Sequence, residues 1–138
     1  MIHYLSRLEE AIRKNWDKPA LCNYGGEEFK FRDVASYIEK FHIFFELTGT
    51  GKGEHISLCA RNSARWAICF FAINTYGAVA VPILSDFTPE SIDHIVDHSE
   101  STVLFTDKEI WERLDIGKMP RLKAVVAVND FTLMYSAS

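Results

Sequence analysis

The chain has 138 residues, 48% of them hydrophobic and 25% charged, a balance ordinary for a soluble globular domain with one core. Its formal net charge of −4 at pH 7 supplies no basic face for nucleic-acid phosphates and no pull toward anionic lipid. The longest apolar run, Trp66 to Ile73, is too short to span a bilayer, and Met1 to Trp16 contains no signal core, so a cytoplasmic protein without a transmembrane segment is expected.

Tyr4, Leu5, Leu8, Ala11 and Ile12 recur at helical spacing, with Arg7, Glu9, Glu10, Arg13 and Lys14 on the other face. This is an amphipathic surface helix, which Lys18-Pro19 should stop. Ala20 to Tyr24 and Glu27 to Phe31 are strand-like, and Gly25-Gly26 between them suits a tight hairpin turn. Arg32-Asp33 opens a second helix. Val34, Ile38, Phe41 and Phe45 form its buried stripe, with Ala35 and His42 beside it and Gly49 at its end.

Gly49-Thr50-Gly51-Lys52-Gly53 has the look of a phosphate loop. Such a loop follows a strand and opens a helix, so that its amides face the phosphates. This one follows a helix and opens a strand, and Gly53 stands where a Ser or Thr should follow Gly-Lys. It is expected to be a turn.

The stretch from Gly53 to Pro82 has the strongest pattern. His55 to Ala60 is a strand, Arg61-Asn62-Ser63 a polar break with Ser63 as a helix cap, and Ala64 to Tyr76 a helix apolar on nearly every side. Gly77 ends it, crowding being the expected reason for a glycine. Ala78 to Val81 should be a second buried strand, completing a parallel βαβ unit.

Ile83 to Phe87 is a loop, and Thr88-Pro89-Glu90 starts a helix running to about Ser99 that buries Ile92, Ile95 and Val96. Thr102 to Phe105 is a third core strand. Thr106 and Glu109 have capping-box spacing for a helix over Asp107 to Leu114. Gly117 to Pro120 is a turn, Ala124 to Val128 a strand, and Asn129 to Ser138 shows no clear element. The fold expected is a single α/β domain over residues 1–138. It has a mostly parallel doubly wound sheet, helices on both faces and a small antiparallel hairpin near the N-terminus.

Three weaker signals point to structure rather than chemistry. His94 and His98 share a helix face but lack a neighbouring third ligand, so they suit a solvated helix better than zinc. Cys22, Cys59 and Cys69 sit in apolar surroundings and are expected to be buried reduced thiols. No Gly-x-Ser-x-Gly elbow is present. No residue is assigned a catalytic, cofactor-binding or metal-binding role.

Ordered motifs give a family resemblance. Phe29-Lys30-Phe31-Arg32-Asp33-Val34 resembles the Leu-Thr-Tyr-x-Glu-Leu segment of the adenylate-forming (AMP-binding) ligase superfamily, which includes acyl-CoA synthetases. Gly49-x-x-x-Gly53-Glu54-x-Ile56 resembles its Gly-x-x-x-Gly-Asp-x-Val segment, with Glu54 for Asp. Asn62, Trp66 and Asn74-Thr75-Tyr76-Gly77-Ala78-Val79-Ala80-Val81-Pro82 resemble its Asn…(Trp/Phe)…Lys-Ala-Gly-Ala-x-x-x-Pro block. The likeness runs from about Leu21 to about Val128. Asn62 is expected to bind loop backbone through its amide.

The resemblance implies a parent enzyme that activates a carboxylic acid, fatty or otherwise, as acyl-AMP with ATP and Mg2+ and then passes it to coenzyme A. The family's Ser/Thr/Gly-rich loop ending in Pro-Lys-Gly, its ribose-binding acid and its catalytic lysine have no counterpart in these residues. The chain is therefore expected to be an inactive N-terminal fragment that binds none of these cofactors. Its partner would be the rest of the ligase, and bare apolar surface would let it self-associate. The alternative is a stand-alone α/β module that binds a ligand or partner without catalysis.

Overall fold

The chain runs α1 (Ile2–Lys14), β1 (Pro19–Cys22), β2 (Glu28–Lys30), α2 (Phe31–Leu47), β3 (His55–Cys59), α3 (Ala64–Tyr76), β4 (Val79–Pro82), α4 (Pro89–His98), β5 (Val103–Thr106), α5 (Lys108–Trp111), a 3-10 turn (Ile116–Lys118), β6 (Ala124–Ala127) and β7 (Leu133–Ser136). The computed structural model describes residues 2–23 and 26–137, without the side chains of residues 2–4. The expected roles of Tyr4, Tyr24 and Gly25 lie outside that description.

Leu5, Leu8, Ala11 and Ile12 form the half-buried stripe of α1. The helix stops before Lys18-Pro19 because Asn15 folds back on it. Its backbone N–H and its Nδ2 both donate to the Ala11 carbonyl at 3.0 Å. β1 and β2 pair antiparallel, Leu21 opposite Phe29 and Cys22 opposite Glu28. Phe31 belongs to α2, not to the strand: Asp33 accepts the Lys30 N–H at 2.8 Å and so satisfies a free amide at the helix start. The α2 stripe is the expected one, Val34, Ile38, Phe41 and Phe45. Gly49, at φ 75°, then turns the chain so that Thr50 N–H reaches back to the Phe45 carbonyl at 2.9 Å.

The main sheet has the order β4-β3-β5-β6-β7. β3 is parallel to β4 and β5, β5 is parallel to β6, and β7 is antiparallel to β6. Alternate side chains feed two cores. Ile56, Leu58, Val103, Phe105 and Val126 meet α2 and α3 on one face, while Leu104 and Val125 meet α4, α5 and the segment around Met119 and Leu122 on the other. The doubly wound architecture and the hairpin are those expected.

Several local expectations are overturned. β4 is not a buried strand but the sheet's edge, with Val79 and Pro82 exposed. Residues Leu133–Ser136 form β7, held by a tight turn in which Ala127 N–H donates to the Thr132 carbonyl at 2.8 Å. Thr106 caps no helix. It is the last residue of β5, and its hydroxyl is turned inward to donate to the Cys59 carbonyl at 2.6 Å. Asp107 precedes α5, which is only four residues long. Gly77 has φ 92°, and a Cβ there would come no nearer than 3.5 Å to Lys52, so backbone conformation rather than crowding calls for glycine. Cys22 is exposed because it ends a two-stranded ribbon; only Cys59 and Cys69 are buried.

Candidate functional site

β3 hands the chain to α3 on one face of the sheet, and β4 hands it to α4 on the other. Because β4 and β5 flank β3, the winding reverses between β3 and β5. In open α/β sheets the crevice beyond the carboxyl ends at such a reversal is the usual ligand position. Here the walls are the segment after β3, Arg61-Asn62-Ser63, and Asp107 after β5.

Local hydrogen bonds fix this geometry. Asp107 is buried, and its Oδ2 accepts the Arg61 N–H at 3.1 Å, tying the two loops together. Ser63 Oγ accepts the Trp66 N–H at 3.0 Å and Asn23 Oδ1 accepts the Ala64 N–H at 2.8 Å. One arm of the crevice, about 260 Å³, is polar and involves Glu27, Arg61, Asp107 and Asn129. The other, about 350 Å³, runs past Trp66 and Ile83 to Ser85 and Asp86.

Arg65 forms part of the polar arm and sequence reasoning missed it. Its Nε and Nη2 donate to the two Glu27 oxygens at 2.9 and 2.7 Å. The hydrogen bonds of Arg65, and then its charge, hold the Glu27 carboxyl below its ordinary value against the opposing effect of burial. The pair joins positions far apart in sequence, so no local signal announces it.

The other conspicuous groups are not poised for chemistry. Burial and the nearby Asp107 carboxylate push the Cys59 thiol up to about 11, and full burial pushes Cys69 well above its ordinary value. Asn62 is exposed and makes no side-chain hydrogen bond among the described residues; the backbone-binding role expected of Asn62 is performed by Asn23. An Asn leading into a glycine-rich turn was the available signal. His94 and His98 stack at 5.6 Å on the exposed side of α4, and among the described residues no three His, Cys, Asp or Glu side chains converge on a metal position.

The Gly49–Gly53 loop lies at the opposite, amino end of β3. It follows the carboxyl end of α2, where the helix dipole is negative, and the Glu54 carboxylate already accepts the Gly51 N–H. A helix carboxyl end lacks the positive dipole that phosphate sites use. At the crevice, Ser63 and Asn23 already accept the amides of Trp66 and Ala64. The amides at both places are therefore already engaged by this chain's own side chains.

A family model for the AMP-binding enzymes matches residues 8–137. The chain belongs to the AMP-binding enzyme family. The crotonobetaine/carnitine–CoA ligase of Proteus mirabilis is 28% identical over 79 residues, covering 57% of this chain and 15% of that protein. The long-chain-fatty-acid–CoA ligase heimdall of Drosophila melanogaster is 25% identical over 122 residues, covering 83% of this chain and 17% of that one. Among solved structures, the anthranilate CoA ligase AuaEII superposes with a TM-score of 0.82 at 26% identity over 90% of this chain. The chain thus spans less than a fifth of these curated relatives and 24% of the solved AuaEII chain. As an AMP-binding family member, it carries the βαβ unit of β3, α3 and β4 that the sequence motifs pointed to. No described helix is long and apolar enough to cross a membrane.

Proposed function

We propose that this chain is the N-terminal segment of an ATP-dependent acid–CoA ligase of the cytoplasm. The observation that carries the reading is the family match over residues 8–137 by a chain that spans only 15 to 24% of these ligases. The whole enzyme would use ATP and Mg2+ to activate a carboxylic acid as acyl-AMP and then form the thioester with coenzyme A. A fatty acid is the substrate favoured, in line with relatives named as long-chain acyl-CoA ligases in Arabidopsis and Drosophila.

In this reading the segment's role is architectural. Its parallel strands seat the crevice, and the nucleotide and acyl sites are completed by the remainder of the parent chain, which is its partner. The 138-residue chain alone is then inactive. ATP–pyrophosphate exchange with acetate, octanoate and palmitate stays at background, and exchange above background overturns the reading. Fusing the chain to the remainder of a long-chain relative should restore exchange.

A further inference from the structure

A largely apolar cavity lies away from the crevice, between α1 and α2. It measures about 430 Å³, within the range of small-molecule sites, and is bordered by Leu5, Leu8, Ile12, Ala35 and Ile38, with His42 among its lining residues. The protonation of His42 follows from its partners. Thr75 Oγ1 has the Phe71 and Ala72 carbonyls to donate to, at 2.7 and 3.3 Å, which leaves it an acceptor toward His42 Nε2 at 2.8 Å. The Ala72 carbonyl, 3.2 Å from the same nitrogen, can also only accept. Nε2 therefore carries the hydrogen. In the neutral ring Nδ1 is then a bare acceptor, and among the described residues nothing donates to it.

We propose that this cavity binds a small neutral amphiphile, an alkyl-substituted phenol or alcohol, whose hydroxyl donates to His42 Nδ1 while its apolar part lies against Leu8, Ile12 and Ile38. The chemistry selects this class. Burial pushes the His42 pKa down, so the ring is a neutral acceptor rather than a cationic partner for an anion. Arg13, at the rim, is already paired with Glu9 on the same helix, and Glu39 adds negative charge. A carboxylate would face the Glu39 charge beside a self-satisfied Glu9–Arg13 pair, whereas a neutral donor meets its complement.

The test is calorimetric titration of the full 138-residue chain with 4-propylphenol and with propylbenzene. Saturable binding of the phenol, at least tenfold tighter than that of the hydrocarbon, is expected, with a shift of the His42 Nδ1 nitrogen resonance. Ala35→Leu fills the cavity with a good helix former and should weaken phenol binding at least tenfold. Retained folding of this variant is checked by circular dichroism, and Ile38→Met provides a second, milder alteration of the same wall. Equal affinity for both probes, no saturable binding, or undiminished binding in folded Ala35→Leu overturns the proposal.

Discussion

The guanidinium of Arg65 lies 4.5 Å from the ring centroid of Phe131, while two of its nitrogens grip Glu27. Three distant pieces meet there: the hairpin through Glu27, α3 through Arg65, and the β6–β7 turn through Phe131. Phe131 sits at φ 61°, a conformation that costs a bulky residue about 1–3 kcal/mol. Its ring is held against Tyr37 at 4.9 Å and Phe41 at 5.0 Å, which offsets that strain. Arg65→Met removes both the ion pair and the cation–π contact. With the Arg65 side chain only 14% exposed, a loss of about 1–3 kcal/mol in urea unfolding is expected. Arg65→Lys should fall between, because ammonium cannot span both oxygens. A change in Arg65→Met below about 0.5 kcal/mol would mean that the cluster is incidental.

Three helices end in the same backbone turn, two of them through glycine and one through glutamate. Gly49 and Gly77 have φ 75° and 92°, and Glu100 takes the equivalent place after α4 with φ 58°. In each, the following N–H reaches back to the last turn: Thr50 to Phe45, Ala78 to Ile73 and Ser101 to Val96. Gly77→Ala should therefore cost about 1–2 kcal/mol although its Cβ has room. Glu100→Gly should gain about 0.5 kcal/mol, since left-handed strain outweighs the extra chain entropy and an exposed contact to Arg121. Opposite signs in paired urea midpoints are the expected result. Equal signs would place the control of these turns elsewhere.

What the sequence made legible was local and periodic. The α2 stripe, the all-round apolar α3 and the Ser63 and Thr88 caps depend on residues a turn apart, so their spacing announces them. What it hid was pairing at a distance. Leu133–Ser136 is a strand only because β6 lies beside it, and its half-exposed pattern is too short to read alone. Thr106 has helix-cap spacing, but the buried Cys59 carbonyl on the next strand claims its hydroxyl. Ala78–Val81 has core composition yet lies at an edge, because strand order is not written in hydrophobicity. The crevice was missed for the same reason, since strand order creates it.

His42 gives stability a pH dependence of definite sign. Burial is the largest influence and lowers its pKa below 6.5, aided by Lys52 and opposed by the Ala72 carbonyl, Glu46 and Glu39. The unfolded chain then takes up the proton more readily than the folded one. Its contribution is fully present above the unfolded pKa and is lost as pH falls toward the folded value. Unfolding free energy should drop as pH falls through 6.5 and below, and His42→Gln should flatten that slope. An unchanged slope in the variant would assign the effect to other groups.

Asp93 on α4 is buried, accepting the Asp115 N–H at 3.1 and 3.3 Å. Burial raises its pKa, against the Asp115 N–H and Lys118, which lower it. A raised carboxyl binds its proton more tightly when folded, so stability declines as pH rises above the unfolded value. Asp93→Asn keeps an acceptor and discards the charge. It should be neutral or stabilising near neutrality, whereas Asp93→Leu strands the Asp115 amide at a cost of about 1–3 kcal/mol. If Asp93→Asn proves as damaging as Asp93→Leu, the carboxylate charge itself is needed.

The β4 edge combines two features with opposite consequences for association. Val79 N–H and Ile83 N–H point into the sheet, bonding Glu54 and Leu58 at 2.8 and 2.9 Å, so residues 80 and 82 face outward. Pro82 has no N–H to offer. Ala80 is then the only residue of β4 with an outward backbone donor, which disfavours addition of another strand. The side chains beside the edge are nevertheless bare, with Val79 45%, Leu84 66% and Phe87 41% exposed. We therefore expect self-association of the isolated chain through side-chain contact, without added β-structure. Light scattering should show mass rising with concentration while circular dichroism stays constant, and Leu84→Asp with Phe87→Asp should restore a monomer. A wild-type chain that stays monomeric at high concentration, or an association that survives the double substitution, would exclude this edge as the interface.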